Sequence, residues 1–204
     1  MEPGAPGATA ALTIEESARM VGAWAWAESR LYEVTGSWVA STVWPAAKVW
    51  LGSASQHHAW RAQLWHERLP GRLVPAYPAS GDEPATRLVR PGSSGAEAAL
   101  EALGRLNGDW ARLAAYCRVI LPRTVVAYRS WHRRCTASSD RPVARALALN
   151  LVDVVTDWQE GSELLADLLD QLGADELDEM AGASTGVERL LVGQGLGPSG
   201  PWAR

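Results

Sequence analysis

Residues 70–95, PGRLVPAYPASGDEPATRLVRPGSSG, decide how the helices of this chain are connected. The stretch is rich in proline and glycine and has no helical periodicity, so it reads as one long connection. An extended chain covers about 3.3 Å per residue. A helix of 25 residues is only roughly 37 Å long. The connection is therefore long enough to cross a helical bundle from one end to the other.

Two helices are predicted before this connection. Residues 13–16, TIEE, form a capping box that starts a helix running to about Thr42. Pro45 stands where a first-turn proline is tolerated, so a second helix is expected over residues 45–69. One face of the first helix follows the i, i+3, i+4, i+7 pattern and contains Val21, Trp24, Glu28, Leu31, Thr35 and Trp38.

Two further helices are predicted after it. Helical periodicity returns at residues 96–106, is interrupted near Asn107 and Gly108, and continues from Asp109 through Pro122, with a kink, to about Cys135. A turn at residues 136–142 leads into a fourth helix over 142–172, for which Asp140 is the candidate N-cap. No segment shows the alternation of a strand, so the fold class is all-α.

The predicted architecture is a four-helix bundle over residues 13–172, with residues 70–95 as its crossover between helices two and three. An up-down bundle with a loose loop is the alternative topology. Residues 1–12 are expected to be disordered, and residues 173–204 to form an acidic and then glycine-rich tail with one or two short helices.

Composition excludes several functional classes. The net charge of -4 argues against a nucleic-acid partner. No apolar run of about 18 residues suggests a membrane span, and the first residues do not resemble a secretory signal. Cys117 and Cys135 lie too far apart on one helical segment to pair, so free thiols in a cytoplasmic location are expected. The chain holds 11 tryptophans, and an exposed tryptophan stripe would favour a homodimer.

The helix lengths, the single crossover, Glu28 in the first helix and the paired His57 and His58 in the second resemble the ferritin-like superfamily. That resemblance implies two iron or manganese ions, held by a Glu on each of two helices and a Glu-x-x-His on each of the others. The chain departs from this pattern. Ala54 and Ser55 occupy the positions three residues before the histidines, and residues 110–135 contain no acid.

The fourth helix carries two stripes. The apolar stripe, which is the expected core face, consists of Leu147, Leu151, Val154, Trp158 and Leu165. The polar stripe consists of Asn150, Asp153, Asp157 and Glu160. It is expected to face water or the arginines of the third helix. If it faces inward instead, Asp153 and Asp157 are available as ligands.

Two functions remain as hypotheses. The first is a divergent ferritin-like enzyme that oxidises or hydroxylates a small molecule, with iron or manganese held by residues drawn from Glu28, His57, His58, Asp153 and Asp157. A metal-free version would use His58 as general base, oriented by Glu28. The residues expected to bind substrate are Trp24, Arg123 and Tyr128. The second hypothesis is a non-catalytic, metal-free bundle that binds an apolar ligand or a partner protein.

Overall fold

The computed structural model describes residues 12–70, 85–136 and 140–192, and over these ranges the chain is helical without strands. The all-α prediction is therefore confirmed. The helices are α1 (Ile14–Ser41), α2 (Pro45–His66), α3 (Ser94–Gly104), α4 (Asp109–Ala115), α5 (Leu121–Arg134), α6 (Arg141–Leu169) and α7 (Ala174–Val192). A 3-10 turn at Ala85–Leu88 precedes α3, and a π-helix at Tyr116–Ile120 joins α4 to α5. None of the helices in these ranges has the length and apolar character needed to cross a bilayer.

The helix ends follow the local signals of the sequence. The predicted capping box is present: Thr13 Oγ1 accepts a hydrogen bond from the Glu16 amide at 3.1 Å, and Glu16 Oε2 accepts one from the Thr13 amide at 2.8 Å. Pro45 is the first residue of α2. Asp140 directly precedes α6, but its carboxylate accepts hydrogen bonds from Thr136 instead of capping the helix.

Helices α4 and α5 and the π-helix between them form one continuous helical run from Asp109 to Arg134. Gly108 starts this run with a φ of 79°, a conformation that favours glycine. Proline has no amide hydrogen and its ring crowds the carbonyl four residues earlier. The wider π turn lies directly before Pro122, where the sequence predicts a kink, and relieves that crowding.

The helices pack as two hairpins with an additional layer. α1 lies along α2, α5 lies against α6, and α2 also faces α6. α7 packs on α3 and α4 through the buried Met180, Val187 and Leu191. The segment assigned to a tail from residue 173 thus contains a 19-residue helix. Cys117 and Cys135 are free thiols. The expectations for residues 1–11 and 193–204, for residues 71–84 of the predicted crossover at 70–95, and for residues 137–139 of the predicted turn fall outside the described residues.

Gly161 of α6 lies directly against the ring of Trp50 of α2. A Cβ atom at this position would lie 2.3 Å from Trp50 Cζ2 and 2.8 Å from Cys117 Sγ. Both neighbours are buried, so neither side chain can swing away into solvent. Gly182 in α7 provides the opposite case, because nothing lies within 4 Å of a Cβ atom there.

This pair of glycines gives a matched test of the packing. Gly161→Ala is expected to lower the free energy of unfolding by about 1–3 kcal/mol through overpacking. Gly182→Ala is expected to raise it by roughly 0.5–1 kcal/mol, because alanine is the better helix former. Urea denaturation followed by circular dichroism measures both. A Gly161→Ala protein as stable as wild type would contradict the close approach of the two helices.

Candidate functional site

The interior contains a cluster of polar side chains, referred to here as the buried polar network. Its members come from α1, α2, the π-helix, α5 and α6, and each is at most 1% exposed: Glu28, His58, Arg61, Tyr116, Tyr128 and Asp157. Charged groups are almost never buried to this degree unless they are paired. The network is therefore the candidate functional site of the interior, or a set of contacts that the fold itself requires.

Arg61 is the centre of the network, and each of its three guanidinium nitrogens meets a different neighbour. Nε donates to Glu28 Oε2 at 3.0 Å, and Nη1 donates to Asp157 Oδ2 at 3.0 Å. Nη2 lies 2.9 Å from His58 Nδ1. One cation thus bridges a carboxylate of α1 and a carboxylate of α6 from its position on α2. Such a planar, forked group suits the simultaneous pairing of two carboxylates.

His58 links the carboxylate of Glu28 to the phenol of Tyr116. Its Nδ1 lies 2.5 Å from Glu28 Oε2, and its Nε2 lies 2.5 Å from the Tyr116 hydroxyl. Two acceptors without a proton between them would repel at 2.5 Å, so we assign the proton to Nδ1, which donates to Glu28. Nε2 then accepts a hydrogen bond from Tyr116. Because Nδ1 carries the proton, it cannot also accept a hydrogen bond from Arg61 Nη2. The guanidinium therefore only lies close to the imidazole at this point.

Tyr128 completes the coordination of Glu28. Its hydroxyl donates to Glu28 Oε1 at 2.5 Å and accepts a hydrogen bond from the indole of Trp65 at 2.9 Å. The ring of Trp24 packs on Tyr128 with centroids 4.3 Å apart, and Trp65 stacks on Trp131. Both carboxylate oxygens of Glu28 thus accept hydrogen bonds, and aromatic rings surround the Tyr128 side of the carboxylate.

His57 and the polar stripe of α6 border the network. His57 Nδ1 lies 2.6 Å from Asp157 Oδ1, and its side chain is 27% exposed, so it sits at the rim. Asn150 is fully buried, and neither atom of its amide has a hydrogen-bond partner among the described residues. Asp153 is half-buried and Glu160 is exposed. The core face of α6 is therefore centred between the two predicted stripes and includes Asn150 and Asp157, while Leu151 and Trp158 are only half-buried.

Burial and charge shift the titration of the network in opposing ways. Burial alone would raise the pKa of Glu28, but the Arg61 charge and the hydrogen bonds from His58 and Tyr128 outweigh it and lower this pKa from 4.5 to about 2. Burial and the adjacent Arg61 lower the pKa of His58 despite the nearby carboxylates, so the contact with Glu28 joins a neutral imidazole to a carboxylate.

Burial and nearby charges also determine the protonation states of Arg61, Tyr116 and Tyr128. Burial alone would lower the pKa of Arg61, but Glu28 and Asp157 raise it, so the guanidinium stays charged. Burial raises the pKa of Tyr116 and of Tyr128, and the carboxylates Asp157 and Glu28 respectively add to the effect. Both phenols are therefore hydrogen-bond donors at neutral pH, and the network holds one fixed positive charge against two negative ones.

The structure brings together several of the residues singled out in the sequence. His58 is the histidine that points inward, and Glu28 orients it, as proposed for the metal-free site. Trp24 and Tyr128 lie at the same network, but Arg123 does not: its guanidinium forms an ion pair with Glu188 of α7. The predictions that Trp24, Arg123 and Tyr128 bind a substrate stay predictions. Arg123 would have to leave its ion pair with Glu188 to bind one.

Sequence reasoning did not identify Arg61. Its signal is positional, because Arg61 follows His57 by four residues and His58 by three, and so shares their helical face with the apolar Ala54 and Trp65. Glu28 of α1 and Asp157 of α6 both face the interior, and two buried carboxylates need a cation close to both. That requirement is the signal by which Arg61 could have been identified.

The side chains of the network do not fit the iron or manganese ions that the ferritin-like resemblance implies. Within residues 12–70, 85–136 and 140–192, no three His, Cys, Asp or Glu side chains are arranged to hold a metal ion. The permanent charge of Arg61 lies between the two carboxylates. Both ring nitrogens of His58 already contact Glu28 and Tyr116, and Asp153 is not among the hydrogen-bond partners of the network. A metal ion would have to displace the guanidinium.

Comparisons with protein-family models, curated proteins and solved structures give no match to this chain. The class that the fold and site define is thus an all-helical protein with a closed, charge-paired interior.

The pKa shifts predict how stability depends on pH. The pKa of His58 is lower in the folded protein than the ordinary value of 6.5, so the unfolded chain binds more protons below about pH 6.5 and stability falls. The pKa of Glu28 is about 2 instead of 4.5, so its contribution is present above pH 4.5 and is lost as the pH falls from 4.5 toward 2. The urea concentration at the midpoint of unfolding is expected to fall in two steps as the pH is lowered from 7 to 2. The first step begins below about pH 6.5 and reports His58, and the second begins below pH 4.5 and reports Glu28.

Glu28→Gln separates the second effect from general acid denaturation. The variant is expected to lose about 3 kcal/mol at pH 7, because Arg61 and His58 lose a charged partner in a buried site. Its remaining stability should decline less steeply than that of wild type below pH 4.5. Glu33→Gln, at an exposed position of the same helix, is the control and should behave as wild type. Equal slopes in wild type and Glu28→Gln would contradict the assignment to Glu28.

Proposed function

We propose that this chain is a metal-independent, non-catalytic helical bundle that acts by binding a partner protein, and that the buried polar network sets the positions of its helices. The proposal rests on one observation: the six polar side chains of the network are at most 1% exposed and are paired with one another. A site that binds and turns over a substrate needs groups that can reach it. Here the reactive groups already satisfy each other.

The proposed architecture is the four-helix bundle with one crossover. α1, α2, the helical run from Asp109 to Arg134, and α6 supply its four helices, and the pairing of α1 with α2 and of α5 with α6 supports this assignment. The connection between α2 and α3 is the crossover. Helix α7 is then an addition to the bundle.

An apolar ligand inside the bundle has less support than a partner outside it. Trp24, Trp38 and Trp50 are buried and pack against Tyr128 or Tyr116, so they are part of the core. The surface groove of about 440 Å³ between α1 and α3 is lined by ion-paired groups, including Arg30 with Glu33 and Arg105 with Glu101. Neither place offers an apolar ligand a matched cavity.

The outer face of α2 is the surface that we assign to the partner. Trp60 is 51% exposed and Val49 is 72% exposed, and a spacing of eleven residues puts both on one face of the helix. The Trp60 ring lies beside the ring of His57, with centroids 5.5 Å apart. Tryptophan dominates protein interfaces because it combines a large apolar area with a polar N–H group.

Acid–base catalysis on a small molecule is the second candidate, and a specific observation favours it. Glu28, His58 and Tyr116 form a continuous hydrogen-bonded chain of carboxylate, imidazole and phenol. Tyr116 is the first residue of the π-helix, and π turns are frequent at functional sites. Catalysis at this hydrogen-bonded chain requires the interior to open so that a substrate can enter. Binding of a partner on the outer face of α2 does not require such an opening.

Chemical modification of histidine distinguishes the two candidates. His66 and His132 are exposed and serve as internal references. With diethylpyrocarbonate at pH 7 and detection by peptide mass spectrometry, a closed interior predicts that His58 reacts about 100-fold more slowly than the references. In denaturant all histidines should react alike. If native His58 reacts at a rate close to that of His66, the interior opens readily, and the non-catalytic proposal is wrong.

The wild-type protein should also contain no stoichiometric iron, manganese or zinc. Untagged protein expressed with each metal and analysed by plasma mass spectrometry measures this directly, with His66→Ala as a control for adventitious surface binding. About one bound ion per chain that is lost in Glu28→Ala would contradict metal independence.

Photo-crosslinking tests the binding surface. A photo-crosslinking amino acid in place of Trp60 is expected to join the chain to one protein of defined mass in the cells that express it. The same amino acid at position 182, which lies in open space on α7, is the control and should not give that product. Identical products from both positions would show that the outer face of α2 is not the binding surface.

A further inference from the structure

We propose that the outer face of α6 binds a second copy of this chain, with the two α6 helices antiparallel. This face consists of exposed side chains that recur every three or four residues along the helix. It begins with Arg141 and Arg145, continues with Leu149 and Val152, and ends with Glu163 and Asp167. Helices α2 and α5 pack against other sides of α6 and leave this face uncovered. It is a different surface from the outer face of α2 that we assign to a partner protein.

The charged ends of the outer face of α6 have no ion-pair partner within residues 12–70, 85–136 and 140–192. Arg141, Arg145, Glu163 and Asp167 take part in none of the salt bridges that those residues form. Moreover, the two arginines are spaced i, i+4, and so are the two acids. Like charges at this spacing repel each other, so each end of the face carries uncompensated charge of one sign.

These charges also oppose the dipole of the helix that carries them. The N-terminus of a helix is stabilised by acids and the C-terminus by bases. Helix α6 has Arg141 as its first residue and Asp167 in its last turn, with no acid in the first turn and no base in the last. The charges of the outer face therefore do not stabilise α6 within one chain. A partner of matching charge accounts for their placement.

A second α6 in the antiparallel orientation supplies that matching charge. Arg145 and Glu163 each lie nine residues from Val154, on opposite sides of it, and Arg141 and Asp167 each lie thirteen residues from it. A two-fold axis at the level of Val154 therefore sets every arginine of one copy opposite an acid of the other. The resulting contact has four ion pairs. A parallel pairing would set arginine against arginine and acid against acid.

The middle of the face provides an apolar contact between the charged ends. Leu149 is 49% exposed and Val152 is 67% exposed. The same two-fold axis sets Val152 of one copy against the exposed Thr156 of the other, and Leu149 against the exposed Gln159. Burial of these aliphatic side chains favours association, and the ion pairs determine the orientation. The sequence predicts a homodimer through exposed tryptophans, whereas this surface is built from arginines, acids and aliphatic residues.

Sedimentation velocity of the wild-type chain at several concentrations tests the association. The contact is one helix wide and therefore small, so a dissociation constant on the order of 10 µM is expected in about 50 mM NaCl. Because salt screens exposed ion pairs, about 1 M NaCl is expected to raise this constant about 10-fold. A chain that is still monomeric at about 300 µM in the low-salt buffer overturns the proposal. A dimer that salt does not weaken overturns it as well.

Reversal of one charge at a time identifies the contact. Arg145→Glu sets acid against acid in a dimer with itself, and Glu163→Arg sets arginine against arginine. Each variant alone is expected to dissociate at least about 30-fold more readily than wild type. An equimolar mixture of the two restores opposite charges in all four pairs and should form a 1:1 heterodimer, which native mass spectrometry distinguishes by mass. Arg189→Glu, at an exposed position of α7, makes the same change in net charge and should leave the dimer unchanged.

Both charge variants are expected to stay folded, because the reversed side chains are exposed, and circular dichroism checks this. If either variant melts, Arg141→Glu and Asp167→Arg repeat the test at the other ion pair. A dimer that persists in both single variants, or a mixture of folded variants that stays monomeric, overturns the antiparallel contact. A dimer that is lost in Trp60→Ser but kept in the charge variants assigns self-association to the outer face of α2 and overturns the proposal for α6.

Discussion

The pairing of Arg61 with Glu28 and Asp157 is the interaction on which the rest of the interior depends. Transfer of an ion into a protein interior costs several kcal/mol even after relaxation, and good geometry with every partner in place is needed to offset it. This requirement ties α1, α2 and α6 to one relative position. Hydrogen bonds from Tyr116 to His58 and from Tyr128 to Glu28 then bring the π-helix and α5 to the same centre, so one cation constrains five helices of the chain.

The residues around this centre are shaped by that constraint. Ala54 and Ala62 on α2 and Gly161 on α6 are small, which lets the helices approach closely enough for short polar contacts. The apolar share of the core lies on either side, with the rings of Trp24 and Trp65 at one end and those of Trp38 and Trp50 at the other. A polar centre inside an aromatic shell specifies one arrangement of helices, whereas interchangeable apolar contacts would permit several.

Local signals made most of the helices predictable, and long-range contacts decided what was not. The capping box at Thr13, the first-turn Pro45 and the break at Gly108 are local, and they gave α1, α2 and the start of α4 within a few residues. Arg61 was missed because an arginine is normally assigned to the surface, and only the distant Asp157 shows that it is buried. The apolar stripe of α6 was the expected core face, but the observed core face lies between the two stripes and includes Asn150 and Asp157. Helix α7 has only three buried apolar residues in a strongly acidic segment, so its periodicity is weak.

The sequence separations within the network also imply an order of events during synthesis. Glu28 lies 33 residues from Arg61, so their pairing is complete within the first hairpin, whereas Asp157 follows Arg61 by 96 residues. Because contacts between distant residues require the greater loss of chain entropy, the first hairpin can close around its own ion pair while α6 is still absent. In the nascent chain Glu28 and Arg61 balance each other in charge, and the arrival of Asp157 adds the excess negative charge last. The first hairpin can therefore pair its own charges before α6 has been synthesised.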